Sequence, residues 1–197
     1  MRVPLILFFL FILSVPVSAQ TADSLLMDIP YYNFGFEVVN KNEAIPDGWF
    51  NFSPASKSNI QSDSLIRHSG KRSVVLGVDA DDSKGHAGIA YALPARYVGN
   101  ELTLKAWLKH EDVLNFVSLF ISMTDSTGTE VQAATLDDKQ LSGTKDWKLY
   151  ELRLSIPANV KTIYVGGNIK GPGKLWIDDV QLLIDGTDIS QSRLKED

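Results

Sequence analysis

The clearest signal along the chain is alternation of apolar and polar positions, the period of a strand with one buried face. In Leu102–Lys109, Leu102, Leu104, Ala106 and Leu108 fall on one side, and Thr103, Lys105, Trp107 and Lys109 on the other. Phe116–Met123 repeats the pattern, with Val117, Leu119, Ile121 and Met123 opposing Phe116, Ser118, Phe120 and Ser122. Tyr150–Ile156 sets Tyr150, Leu152, Leu154 and Ile156 against Glu151, Arg153 and Ser155. Apolar runs at Ser73–Val78, Ala87–Leu93, Thr162–Ile169 and Leu175–Ile184 predict further strands, and Ser58–Gln61 and Glu130–Ala134 two weaker ones. Turn-forming residues punctuate these runs at His68–Gly70, Asp79–Gly85, Gly99–Asn100, Asp125–Gly128, Gly143–Lys145, Pro157–Asn159 and Gly171–Gly173. No segment of helical length keeps a 3.6-residue apolar period; Ser24–Met27 and Leu136–Gln140 have room for a single turn each. Many short, half-polar strands predict an all-β antiparallel sandwich.

Residues 1–20 do not belong to that pattern. Arg2 gives a basic start, Pro4–Leu13 is an unbroken apolar run, and Val17–Ala19 is a small-residue cleavage site. This is the layout of a secretory signal peptide. The run is shorter than the ~20 residues a membrane-spanning helix needs. The expectation is export with cleavage after Ala19, leaving a secreted or periplasmic protein with no membrane span. The chain divides into a signal peptide at 1–19, a lead-in at 20–30, a sandwich domain at 31–189 and a polar tail at 190–197 that is expected to fray.

Composition narrows the function. The 197 residues carry a formal charge of −5, which argues against nucleic acid as a partner. With no Cys, disulfide frameworks, thiolate metal sites and Cys nucleophiles are excluded. The three histidines, His68, His86 and His110, are far apart in sequence, and no catalytic motif accompanies them. The expectation is that the protein is not an enzyme. Asp79–Gly85 does not make a calcium loop of the EF-hand kind, because Lys84 stands where that loop needs Gly and Ala90 where it needs Glu.

Several short motifs occur in a characteristic order. Asn33–Glu37 (NFGFE) precedes Pro46–Trp49 (PDGW), and His68–Ser73 (HSGKRS) leads into Val74–Leu76. Gly143–Trp147 (GTKDW) precedes the strand at Tyr150, and Leu175–Leu182 (LWIDDVQL) closes the set. This order resembles the galactose-binding-domain-like jelly rolls, in particular carbohydrate-binding modules of the family 4, 9 and 22 (CenC) type. It also resembles the N-terminal β-sandwich ahead of peptidase or esterase domains in secreted Bacteroidetes proteins. The resemblance covers roughly residues 31–188 and implies a jelly-roll sandwich. It implies a partner that is either a glycan or a secreted enzyme or surface protein. Such relatives usually continue into a catalytic domain, whereas this chain ends nine residues after Asp188; the enzyme served is expected to be separately encoded. The resemblance further implies a structural Ca²⁺ between Asn33–Glu37, Asp178-Asp179 and the His68–Arg72 turn, with Glu37 and Asp178 as side-chain ligands beside backbone carbonyls near His68–Arg72. Read from the residues alone, both carboxylates are also suited to capping turns by accepting backbone N–H groups.

The aromatic residues suggest where a ligand would lie. A pyranose presents an apolar C–H face that stacks on an exposed ring. Trp49 is expected to pack the end of the sandwich and Trp176 the edge of its core. Trp107 lies opposite a clean aliphatic face, beside Thr103, Lys105 and Lys109, and Phe120 lies beside Ser118 and Ser122. If their strands share one sheet, Trp107 and Phe120 form a platform, with Lys105, Lys109 and Asn168 supplying hydrogen bonds. The alternative is that a loop such as Thr124–Ser142 covers this face and makes both rings a second small core.

Overall fold

The computed structural model describes residues 32–40, 43–53 and 58–195. The apolar leader, its cleavage point and the Ser24–Met27 helical turn lie outside the described residues. Among the described residues ten strands run β1 Trp49–Asn51, β2 Ser58–Asp63, β3 Ser73–Val78, β4 His86–Pro94, β5 Glu101–Thr124, β6 Glu130–Thr135, β7 Leu141–Ser155, β8 Thr162–Lys170, β9 Gly173–Ile184 and β10 Thr187–Asp188. Leu136–Gln140 holds a short 3₁₀ turn at Asp137–Lys139, as its composition suggested. Among the described residues no helix is long and apolar enough to cross a membrane.

Neighbouring strands pair antiparallel in the order β1-β4-β8-β5-β9-β3-β2, with β6 and β7 added along β5 and β10 on β9. The two halves of this path form the layers of a sandwich because of β5. The alternating stretches at 102–109 and 116–123 belong to one 24-residue strand. Its residues 102–111 pair with β9, and its residues 116–124 pair with β8. Register shifts against β7 between Leu108 and Val117 let the strand bend from one layer into the other. Gly143–Lys145, expected as a turn, lies inside β7, where Gly143 pairs with Val113 at this bend.

The inward faces fulfil the alternation. Leu102, Leu104, Ala106 and Leu108 meet Val117, Leu119, Ile121 and Met123 in a single core with Leu76, Ile89, Val165, Ile177 and Leu182. Trp49 is buried at 7% exposure, its indole N–H donating to the Asn33 carbonyl at 2.9 Å. Trp176 is closed over on the outward side of β9, opposite Lys109, and donates to Asp63 Oδ2 at 2.9 Å. The segment after Asp188 is docked through residue 195. Tyr97 bridges Leu194, and the Lys195 N–H donates to the Arg96 carbonyl at 2.7 Å.

Candidate functional site

Trp107 and Phe120 do not share a face. Both point away from the core, but Trp107 lies on the β9 half of β5 and Phe120 on its β8 half. A single strand carries the same outward parity into both layers, so alternation alone cannot tell the two faces apart.

On the β9 half, Trp107 is half-buried under the His68 turn. The His68 ring stacks on it with centroids 3.9 Å apart and planes 16° from parallel, and Trp147 meets His68 edge-on at 5.7 Å. The cover is the 64–72 turn, not Thr124–Ser142. Lys105 and Lys109 flank Trp107 and are engaged by Glu151 at 3.3 Å and Asp146 at 2.9 Å.

The same turn is held by the two carboxylates singled out for calcium. Asp178 is fully buried, and its Oδ2 accepts the N–H groups of His68 and Ser69 at 2.8 and 3.1 Å. Its Oδ1 accepts the Asp179 N–H at 2.8 Å. Burial pushes the Asp178 carboxyl up, and these three donors only partly offset it. Glu37 Oε1 accepts from Lys71 at 2.8 Å and, more weakly, from Arg72 at 3.4 Å. N–H groups therefore engage both oxygens of Asp178 and one of Glu37. Among the described residues no three His, Asp or Glu side chains gather in a metal-binding arrangement. These contacts are those of turn caps.

Beside it, His68 Nδ1 lies 2.6 Å from Asp179 Oδ2, a pairing that in other settings serves proton transfer. Ser69 Oγ donates to the other oxygen of the same carboxylate at 2.7 Å. Hydroxyl and imidazole are thus tied to one acid rather than to each other, which anchors the turn and does not activate a nucleophile.

The β8 half presents an open aromatic face. Phe52 meets Phe120 edge-on with centroids 5.1 Å apart, and Phe50 meets Tyr164 at 6.5 Å. Phe50 and Phe52 are 40% and 37% exposed. The rings lie against bare backbone: a Cβ on Gly88 would fall 2.4 Å from the Phe52 ring, and one on Gly166 2.9 Å from Phe120. Asn168 sits between Gly88 and Ser118 in the register, and Ser122 faces Tyr164. His86 closes one end against Phe52, and burial together with the Lys170 charge holds its imidazole below the ordinary value. Phe120 and Asn168 are the predicted residues that fall here. Phe50, Phe52 and Tyr164 were missed. A hollow bordered by Asn100, Pro157, Asp185 and Lys195 lies elsewhere, where the C-terminal segment docks; Asp185 there caps the N–H groups of Asn100 and Glu101.

No sequence-family profile matches the chain. A curated relative, an uncharacterised HTH-type transcriptional regulator YbfP of Bacillus subtilis strain 168, is 31% identical over 85 residues, 43% of this chain. The matched stretch spans only 29% of that regulator. Solved structures share the fold at low identity. The C-terminal family 22 carbohydrate-binding module of a Clostridium thermocellum xylanase is 16% identical, with a TM-score of 0.53, over 80% of this chain and 94% of the module. A family 61 module solved with β-1,4-galactotriose is 18% identical, with a TM-score of 0.50, over 78% of this chain and 97% of the module. A Stig cyclase of Fischerella sp. TAU is 15% identical, with a TM-score of 0.56, over 85% of this chain and 98% of the cyclase. The chain has the antiparallel β-sandwich of the carbohydrate-binding modules, a fold that an enzyme shares.

Proposed function

We propose that the protein is an exported, non-catalytic module that binds a glycan across the face bearing Phe50, Phe52, Phe120 and Tyr164. One observation carries the reading: two ring pairs lie on the outward side of one layer, Phe52 and Phe120 over glycine backbone, with Asn168 and Ser122 on the same side. An apolar floor with a few polar groups at its margin is the common form of a small-ligand site. The fold shared with sugar-binding modules supports this reading. The shared fold of a cyclase shows that fold alone does not exclude catalysis; the way Asp179 ties down both His68 and Ser69 speaks for a binding role. The match to a transcriptional regulator spans only part of each protein, and the acidic charge of this chain speaks against DNA as its ligand.

A second reading, a module that docks a separately encoded secreted enzyme or surface protein, is favoured by Leu65. It stands 87% exposed on the turn that covers Trp107.

A glycan array probed with the mature protein, followed by titration of Phe52→Ala and Phe120→Ala, separates the two. Loss of a stacking ring is expected to weaken binding by about fivefold or more. An array without signal, or ring variants that bind unchanged, removes the glycan reading.

A further inference from the structure

Glu130 reaches the open aromatic face through an irregularity in β6. Along that strand Ala133 pairs with Ser122 and Gln132 with Met123, but the next pair joins Glu130, not Val131, to Thr124. Val131 is thus the extra residue of a β-bulge. In an unbroken strand Glu130 would share the side of Gln132, on which Met123 joins the core. The bulge reverses that parity and sets Glu130 on the side of Ser122 and Phe120. There the Ser122 hydroxyl donates to Glu130 Oε2 at 2.7 Å. On its other flank Ser122 pairs with Tyr164, whose ring meets Phe50. The order across the sheet is Tyr164, Ser122, Glu130, so two strand spacings, roughly 10 Å, separate the outer two backbones.

The carboxylate placed there is free to work. Glu130 is exposed. Glu151, Asp146 and Asp137 each lie beside a lysine, whereas no ion pair among the described residues engages Glu130. Ser122 takes up one acceptor direction of Oε2, and Oε1 has no donor among the described residues. An ionised carboxylate offers about four lone-pair directions, so most of its capacity faces solvent. The Ser122 hydroxyl fixes where that capacity points.

The neighbours of Glu130 indicate what it meets. Tyr164 and Phe120 offer apolar ring surface, and the Ser122 proton is already committed to the carboxylate. A sugar unit set against such rings turns its hydroxyls to the rim, where each one loses water and needs a new partner. Two adjacent hydroxyls can donate to one carboxylate, and hydrogen bonds to a charged acceptor are short and strong. We propose that Glu130 is the specificity-determining residue of this face, its carboxylate accepting from two adjacent hydroxyls of a sugar unit that packs against Tyr164; this rests on the glycan-binding reading above. A sugar that lacks one of those hydroxyls, or turns it to the other side of the ring, forfeits the contact while keeping its apolar face.

The test is calorimetric titration of the full mature chain with the neutral oligosaccharide that gives the strongest array signal, and with monodeoxy analogues of each of its sugar units. Glu130→Gln keeps an oxygen for the Ser122 hydroxyl but loses the charge, and is expected to weaken binding about tenfold at an unchanged melting temperature. One or two monodeoxy analogues are expected to lose about tenfold against the native chain but little further against Glu130→Gln, because the same contact is already gone. Ser122→Ala, which frees the carboxylate to swing, is expected to lose a smaller factor, and Ser122→Thr, which restores the hydroxyl, to recover it. A Glu130→Gln protein that binds unchanged while Phe120→Ala loses affinity overturns this inference and leaves the glycan-binding reading standing. So does a deoxy series in which every analogue loses the same factor against both proteins. If Phe120→Ala and Phe52→Ala also bind unchanged, or the array gives no signal, the glycan-binding reading itself fails and this inference falls with it.

Discussion

Gly88 and Gly166 decide where the rings of the β8 half rest, and they do so by different means. A Cβ on Gly88 would come nearest to the Phe52 ring, the far end of a side chain that can swing away. A Cβ on Gly166 would fall 2.0 Å from the Ile89 carbonyl oxygen, which belongs to a paired strand and cannot yield. Gly88→Ala is therefore expected to weaken glycan binding with little change in melting temperature. Gly166→Ala forces backbone apart, at a cost of roughly 1–3 kcal/mol or a drop of roughly 3–10 °C. Melting curves and titrations of the two variants check this, and equal destabilisation by both would contradict it. At this scale the site was partly legible. Phe120 showed because its strand alternates cleanly. Tyr164 lies in a run whose Gly166-Gly167 pair blurs the alternation and reads as the approach to a hairpin. Phe50 and Phe52 belong to a three-residue strand and the segment after it, too short to carry any period.

Among the elements, the 64–72 turn is the one that local sequence describes least well. Its Ser-Gly pair marks a turn, but its position over Trp107 depends on carboxylates from both ends of the chain. Asp178 takes the N–H groups of His68 and Ser69, and Glu37 those of Lys71 and Arg72. Asp179 adopts a left-handed φ of 47°, which turns its carboxylate toward His68 and Ser69. Asp178→Ala leaves three backbone donors without an acceptor, each a loss of ~1–3 kcal/mol if it stays buried. A strongly lowered melting temperature is expected, with Trp147 and Trp107 fluorescence reporting release of the turn. Because N–H groups already engage both carboxylates, melting in excess chelator and in millimolar Ca²⁺ is expected to coincide. A rise of several degrees with Ca²⁺ would instead restore the cation implied by the family resemblance, since a ligand bound only to the folded state stabilises it by mass action.

For the whole molecule, the class of fold was legible because three of the nine predicted strand segments alternate cleanly and four more are apolar runs of six to ten residues bounded by turns. The joining of two of them into β5 was not, because a strand that bends between layers keeps its parity on both sides of the bend. That continuity gives the sandwich two outward faces that a sequence reading merges into one. The faces also differ in kind: His68 stacks on Trp107 on one, while Phe50 and Phe52 stand exposed on the other. If the open face is the binding surface, the two rings of β5 have separable roles. Trp107→Ala removes the surface on which His68 stacks, so it is expected to destabilise by about 1–2 kcal/mol while leaving glycan affinity unchanged. Phe120→Ala is expected to cost affinity chiefly. The rings have no ring partner in common, so their stability effects are expected to add within about 0.5 kcal/mol in the double variant. Denaturant melts and titrations of the four proteins measure both quantities. A Trp107→Ala protein that stays stable yet no longer binds would move the platform to the β9 half. Strong non-additivity would show that the bend in β5 couples the two faces.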